Sequence, residues 1–549
     1  MKETLTIVLL LIVSFAFSQK ELSKDYDYKV SEPYRVTDAR TKEYYSNGKE
    51  VLGVKVRAKT TEKFQVVLQK YDINGMKEIG KKGYNDFPKN FLFEGVVQAQ
   101  DRFYFYYSSW TGKKTKHERL YVREIDFDNG TFKGEAKQIV DHDGYLVNYY
   151  NNDPGFVGMF FGISYGGTTK FDLQTSEDES KILIQYRNKP LVRKDTKSWD
   201  IIHVEVYDLD MKKSWDKQYT MPYTERRMNF LDDMVDNDGN IFMVTKVFHD
   251  DSNKDKKRRR DEKANYHIEL FELNSSLEKI KTSKISLDDK FINGISLFQA
   301  GNKDIICAGY YNKGKSLGSA DGVYTYKINQ KGELIDKFYY EIPLEILNLY
   351  VKNRTKKKNA KKDKKGKAEA GYLNLKELVY SKDGSLILIG EVVYTVYHYT
   401  KNGGYYTYHY EDMIITKVNT DGSFSWMKKV PKRQRGLKGK GGMSYTYFNA
   451  NGNHYLIYLD NVKNFNLPTD KIPALHSDGK GGYLTAVKIN DKTGELVKGS
   501  ILDFRKIKGD IVAYQFNTDR IVKIKDNEFF VEVYKKKKED VFIKVEMKN

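Results

Sequence analysis

Cysteine is nearly missing: Cys307 is the only one in 549 residues, so no intramolecular disulfide can form. It sits in Asp304-Ile305-Ile306-Cys307-Ala308-Gly309, an apolar strand pattern that predicts a buried core thiol rather than a nucleophile. Histidine is sparse and scattered, nine in all, with no zinc-type His/Cys spacing. There is no P-loop and no Gly-x-Ser-x-Gly elbow. These gaps leave no expected cofactor, no expected metal site and no catalytic residue to nominate. Beyond the first residues, no run is apolar enough to cross a bilayer.

The N-terminus is different. Lys2 precedes an apolar stretch from Leu5 to Phe17, then Ser18-Gln19. A charged start, a short apolar run and small residues predict a signal peptide over 1–18, cleaved after Ser18. The run is shorter than the roughly 20 residues a spanning helix needs. No cysteine follows the cleavage site, so a lipoprotein anchor is not expected. The reading is an exported bacterial protein (periplasmic, cell-surface-associated or secreted) with 19–549 as a single domain.

Strand formers are plentiful. Tyr alone supplies 43 residues, and aromatics make up 14%. One pattern recurs: an apolar run, then Asn or Asp, then a turn. It is seen in "VVLQKYDING" (66–75), "LYVREIDFDNG" (120–130), "IIHVEVYDLD" (201–210), "HIELFELNSS" (267–276), "VYTYKINQKG" (323–332), "MIITKVNTDG" (413–422) and "YLTAVKINDKTG" (483–494). Asn and Asp suit the turn because their side chains bond backbone N–H groups two residues on. A second hairpin signal precedes most copies, so each unit reads as four antiparallel strands. The final "DVFIKVEMKN" (540–549) matches a third strand and lacks a fourth. Near the start, "DYDYKVSEP" (25–33) resembles the fourth strands that finish at Pro222, Pro343 and Pro431. The N-terminal strand is therefore expected to complete the last unit, closing a ring without free sheet edges. The fold class is all-β, a β-propeller of eight four-stranded blades. Seven blades, or a pair of β-sandwich domains, are the alternatives. The glycine-bearing segment 139–170 has no repeat assignment and reads as an inter-blade loop.

"NTDGSFSWMKKV" resembles the repeat of bacterial secreted β-propeller proteins, in which a glycine turn precedes an aromatic residue and a lysine. The resemblance implies the fold and transfers no functional residue.

The formal charge is +19, and three segments hold most of it: 351–370 carries +8, 432–440 carries +5 and 251–263 carries +3. Runs of this kind self-repel and lack apolar residues, so flexible basic insertions are expected. They suit an acidic glycan or another polyanion, although no dedicated nucleic-acid module is present. "DDMVDNDGN" (232–240) loosely resembles a calcium loop, but without the downstream glutamate it reads as a hairpin turn.

The segment "VVYTVYHYTKNGGYYTYHYEDM" (392–413) stands apart. With Asn402-Gly403 as a two-residue turn, Tyr399 should pair with Tyr406 and Tyr397 with Tyr408. Alternation then puts Tyr397, Tyr399, Tyr406, Tyr408 and Tyr410 on one face, with His398, Tyr405 and His409 on the other. An exposed tyrosine ladder suits sugars or a protein partner. The expected function is a non-enzymatic binding or scaffold protein of the bacterial envelope, its partner an acidic glycan, another polyanion or an envelope protein. The alternative is a propeller hydrolase or lyase acting on an acidic polysaccharide.

Overall fold

A computed structural model describes residues 22–548, apart from 38, 40, 59–62, 148, 151–167, 190–196, 259, 260, 262, 315, 316, 382, 401, 402, 438–442 and 508–515. The expected signal peptide lies outside the described residues.

Antiparallel sheets follow one another along the chain. Four strands build each of the sheets within 41–84, 91–143, 172–224, 228–285, 291–341 and 446–503. The sheet that starts at Leu373 adds two short strands, Gln434–Gly436 and His476–Ser477. The turns form as the Asn/Asp pattern dictates. Asn329 Oδ1 accepts from the backbone N–H of Lys331 and Glu333 at 3.0 and 2.9 Å. Asp208 Oδ1 does the same for Asp210 and Lys212, both at 2.9 Å. Each such bond satisfies a turn N–H that no ladder reaches. The architecture is all-β and propeller-like.

The last sheet draws on both ends of the chain. Ile521–Lys525, Glu528–Lys536 and Glu539–Met547 are joined by Tyr26–Val30, which pairs antiparallel with Glu539–Met547. Tyr28 lies opposite Val545. A terminal strand with alternating burial, expected from the sequence, thus covers an edge that would otherwise be open.

The core is divided among the seams between sheets. Leu52, Val54 and Val66 pack against Phe103, Phe105 and Ile125 of the next sheet. Ile387 and Ile415 meet Leu456 and Val487 in the same way. Tyr44, Val51 and Tyr71 of the first sheet meet Phe530 and Phe542 of the last. That seam also buries charge. Glu532 accepts from Tyr34 Oη at 2.7 Å and lies 3.2 Å from Lys42, 3.5 Å from Arg520 and 3.6 Å from Lys55. Burial alone would raise the Glu532 pKa; the three cations outweigh it and lower it. Cys307 is fully buried, and burial raises its pKa.

The basic segments depart from expectation. Within 351–370, residues Asn353–Asp363 form a helix rather than a flexible loop. Lysine is a good helix former when its charge stays in solvent, and no residue of this helix is buried. Asn359 Nδ2 donates to Asn348 Oδ1 at 3.0 Å, tying the helix to the turn before it. Within 432–440, Lys432 is wholly buried and paired with the wholly buried Glu391 at 2.6 Å. A carboxylate without solvent needs such a counter-charge, so this lysine belongs to the interior and not to a solvated run. Within 251–263, Asp255 pairs with Lys246 at 2.8 Å. The segment 139–170 is not wholly a loop: 139–143 end the strand Thr131–Asp143.

Candidate functional site

Two strands project as an arm. Leu386–Thr400 spans 15 residues and Gly403–Val418 spans 16, against 8 for a counterpart such as Asn453–Asp460. The first halves of the ladder belong to the sheet, and the tyrosine-rich halves run past it.

The register differs by two residues from the sequence expectation. Tyr397 lies opposite Tyr406, His398 opposite Tyr405, Tyr399 opposite Gly404 and Thr400 opposite Gly403. Gly403 is thus a ladder residue opposite Thr400, and the other expected turn residue, Asn402, lies outside the described residues. The cause lies at the other end of the arm. Glu391 pairs with Met413 inside the sheet, and a bulge sets Glu411 and Asp412 against Val392. The ladder propagates from that anchored bulge, and its many pairs override the preference of Asn-Gly for the turn centre. A slip of two preserves side-chain parity, so the expected faces survive.

On the first face, Tyr399 is 89% exposed, Tyr406 54% and Tyr397 39%. Tyr397 contacts Tyr399 edge-on, with centroids 4.7 Å apart at 86°, and Tyr406 at 4.7 Å and 55°. Tyr408 and Tyr410 are half-buried toward the base. Tyr410 is the anchor. Burial, then Glu391 and Asp519, push its hydroxyl up to about 12, and the Lys376 and Lys432 ammonium groups each lie 5.8 Å from its ring centroid.

On the second face, two imidazoles lean toward one hydroxyl. His398 Nε2 is 2.8 Å from Thr407 Oγ1, and His409 Nε2 is 3.1 Å from it. Each ring is braced by a stacked tyrosine, His398 by Tyr405 and His409 by Tyr394. Burial lowers the His409 pKa, Glu411 opposes that shift, and Arg435 adds to it. Arg435 is cross-strand from His409 because Gln434–Gly436 pairs along the base of the arm. Tyr372, 60% exposed, extends this face through Tyr394 at 5.4 Å.

The base is rigid. Lys432 Nζ donates to Glu391 Oε1 and, at 3.1 Å, to Gln434 Oε1. Ser444 Oγ donates to the other Glu391 oxygen at 2.8 Å. Gln434 Nε2 donates to the Leu459 carbonyl at 2.9 Å. Sequence reasoning missed Thr407, Tyr394, Tyr372, Arg435 and the Glu391–Lys432 pair. Thr407 and Tyr394 share the alternation parity of the second face and could have been found from it. Tyr372, Arg435 and Lys432 arrive from separate segments and carried no local signal.

Carboxyls on first strands of several sheets are the other candidate. Burial pushes Glu43 and Glu377 up to about 8 each and Glu94 to about 7. Among the described residues, no three His, Cys, Asp or Glu side chains converge to hold a metal ion. Asp236 of "DDMVDNDGN" closes a hairpin turn, its Oδ1 accepting from the backbone of Asp238 and Asn240 at 3.0 and 2.7 Å.

No family model matches this chain, and no curated protein does. Among solved structures, a protein of unknown function from Dyadobacter fermentans is 11% identical, over 95% of this chain and 99% of its own, with a TM-score of 0.31. The β-propeller domain of the Trilobed protease from Pyrococcus furiosus is 10% identical, over 86% and 98%, with a TM-score of 0.33. Prolyl oligopeptidase B from Galerina marginata is 12% identical, over 96% of this chain and 56% of its own, with a TM-score of 0.36. Similarity at this level transfers no residue, substrate or reaction to the present chain.

Proposed function

We propose that this chain is an exported binding or scaffold protein of the bacterial envelope, an eight-bladed propeller that engages its partner through the projecting arm. The observation that carries the reading is the uncovered tyrosine face of Tyr397, Tyr399 and Tyr406 on a base fixed by buried hydrogen bonds. Exposed aromatic rings in contact with one another offer flat apolar area with hydroxyl edges, at low entropic cost on binding. Arg435 on the neighbouring strand and the lysines of 353–363 favour an acidic glycan over a neutral one. The eight-blade count rests on the seams, the last of which joins the first sheet to the C-terminal one.

A second reading, a hydrolase or lyase of an acidic polysaccharide, draws on Glu43 and Glu377. Carboxyls held up to about 8 stay protonated at neutral pH, as a general acid requires.

One experiment separates the two. Residues 19–549 are incubated with neutral and acidic glycans, and both retention and breakdown are scored. Salt-sensitive retention without breakdown, lost in the Tyr397→Ala/Tyr399→Ala/Tyr406→Ala variant at an unchanged melting temperature, is the expected result. Breakdown products would replace the binder with the enzyme. No retention of any glycan would remove the glycan as partner.

A further inference from the structure

A second site lies on the seam between the 172–224 and 228–285 sheets, away from the arm. Asp172 opens the strand Asp172–Thr175, and Asp233 lies on Met228–Val235. One amide joins them: Gln174 Nε2 donates to Asp233 Oδ2 at 2.8 Å and to Asp172 Oδ2 at 3.2 Å. The two carboxylates therefore face each other across the seam. Neither has a Lys, Arg or His partner among the described residues, and the same holds for the adjacent Asp232. Asp232 points the other way, accepting from Ser296 Oγ and the Leu297 N–H, both at 2.8 Å. Two carboxylates on one seam without a cationic side chain are costly unless something neutralises them.

A separate observation points to what does. Gln185 lies directly cross-strand from Asp172 and next to Val204, so its side chain shares the seam face. It is 7% exposed, and its Oε1 is buried with no hydrogen-bond partner. A buried amide oxygen that accepts nothing is an unfilled ligand position on the face that carries Asp172. Asp172 and Asp233 are half-buried.

We propose that this seam binds a hard divalent cation, Ca2+, through Asp172, Asp233 and Gln185 Oε1. All donors are oxygen, two are anionic, and the remaining positions are open to water, which matches the ligand preference of Ca2+ at about 2.3–2.6 Å. Gln174 holds the two anions apart until the cation arrives. The ion would tie neighbouring sheets together where the apolar seam gives way to polar residues.

The test uses residues 19–549, exhaustively treated with chelator, then titrated with CaCl2 by calorimetry and by thermal melting. Wild type is expected to bind one Ca2+ and to melt at a higher temperature with it. Asp233→Asn should weaken binding by at least about tenfold, since it removes one of the two charges. Gln185→Leu, which keeps both charges, should weaken it by a smaller factor and remain folded, guarding against a charge variant that fails to fold. No Ca2+ binding by wild type would overturn the site and leave the pair sharing a proton. Binding that is unchanged in both variants would place the ion elsewhere and overturn it equally.

Discussion

Lys432 shows how much a single residue can carry. Its ammonium sits at zero exposure against Glu391, whose carboxylate is likewise fully buried. Lys432→Ala strands that charge and should cost about 3–5 kcal/mol, read by denaturant unfolding. A paired Lys432→Met/Glu391→Leu change should recover most of the loss, because replacing both partners leaves no unpaired charge. Glu43 and Glu377 make a different prediction. Glu43 is buried and Glu377 half-buried, and desolvation raises both pKa values to about 8 from an ordinary value of 4.5. In that interval the folded state holds protons that the unfolded chain has released. Their contribution to stability is therefore complete below about pH 4.5 and is lost as pH rises through about 8. The melting temperature should fall between pH 5 and pH 8, and Glu377→Gln should flatten that fall. A melting temperature that rises over the same range would contradict the burial of these carboxyls.

At the scale of the element, strand bulges decide what the sheets can present. The bulge at Glu391/Val393 sets the register of the arm, and another at Ile292/Ile295 lets two strands approach closely. There, a Cβ on Gly309 would lie 2.0 Å from the carbonyl oxygen of Gly294, a backbone atom that cannot swing away. Gly309→Ala should destabilise the 291–341 sheet by more than about 2 kcal/mol, visible as faster amide exchange along Ile305–Asn312. The arm behaves oppositely. Its exposed tyrosines bury little of the core, so alanine changes there should reach the binding readout and leave the melting temperature in place. The helix at 353–363 makes the same point from the other direction. A lysine run with no apolar face is ordered here as a helix tied at Asn359 and Lys362, although its composition alone reads as disorder.

At the scale of the whole molecule, the two ends of the chain meet through the pairing of Tyr26–Val30 with Glu539–Met547 and the charged seam around Glu532. Removing residues 22–33 would expose a long, apolar edge strand whose residues Val541, Ile543 and Val545 are otherwise fully buried. Such an edge pairs with other chains. The 34–549 chain should melt at lower temperature and form oligomers or aggregates on size-exclusion chromatography with light scattering. A monomer of unchanged stability would mean that the seam at Glu532 and the packing of Tyr44 against Phe542 hold the last sheet to the first unaided.

The strands, their Asn/Asp turns, the pairing of the two termini, the burial of Cys307 and the two faces of the arm were all legible in the amino-acid order. Each follows from local chemistry or from a period of two, and parity survives even when register slips by two. The register of the arm, the burial of Lys432, the order of the 353–363 helix and the meeting of Asp172 and Asp233 at Gln174 emerge only on folding. These depend on which segments become neighbours across a seam. Nothing in the spacing of Gln174 and Asp233, 59 residues apart on different sheets, encodes that they will face one another. Desolvation and close packing act only after the sheets have stacked, so the partners they select are invisible until then.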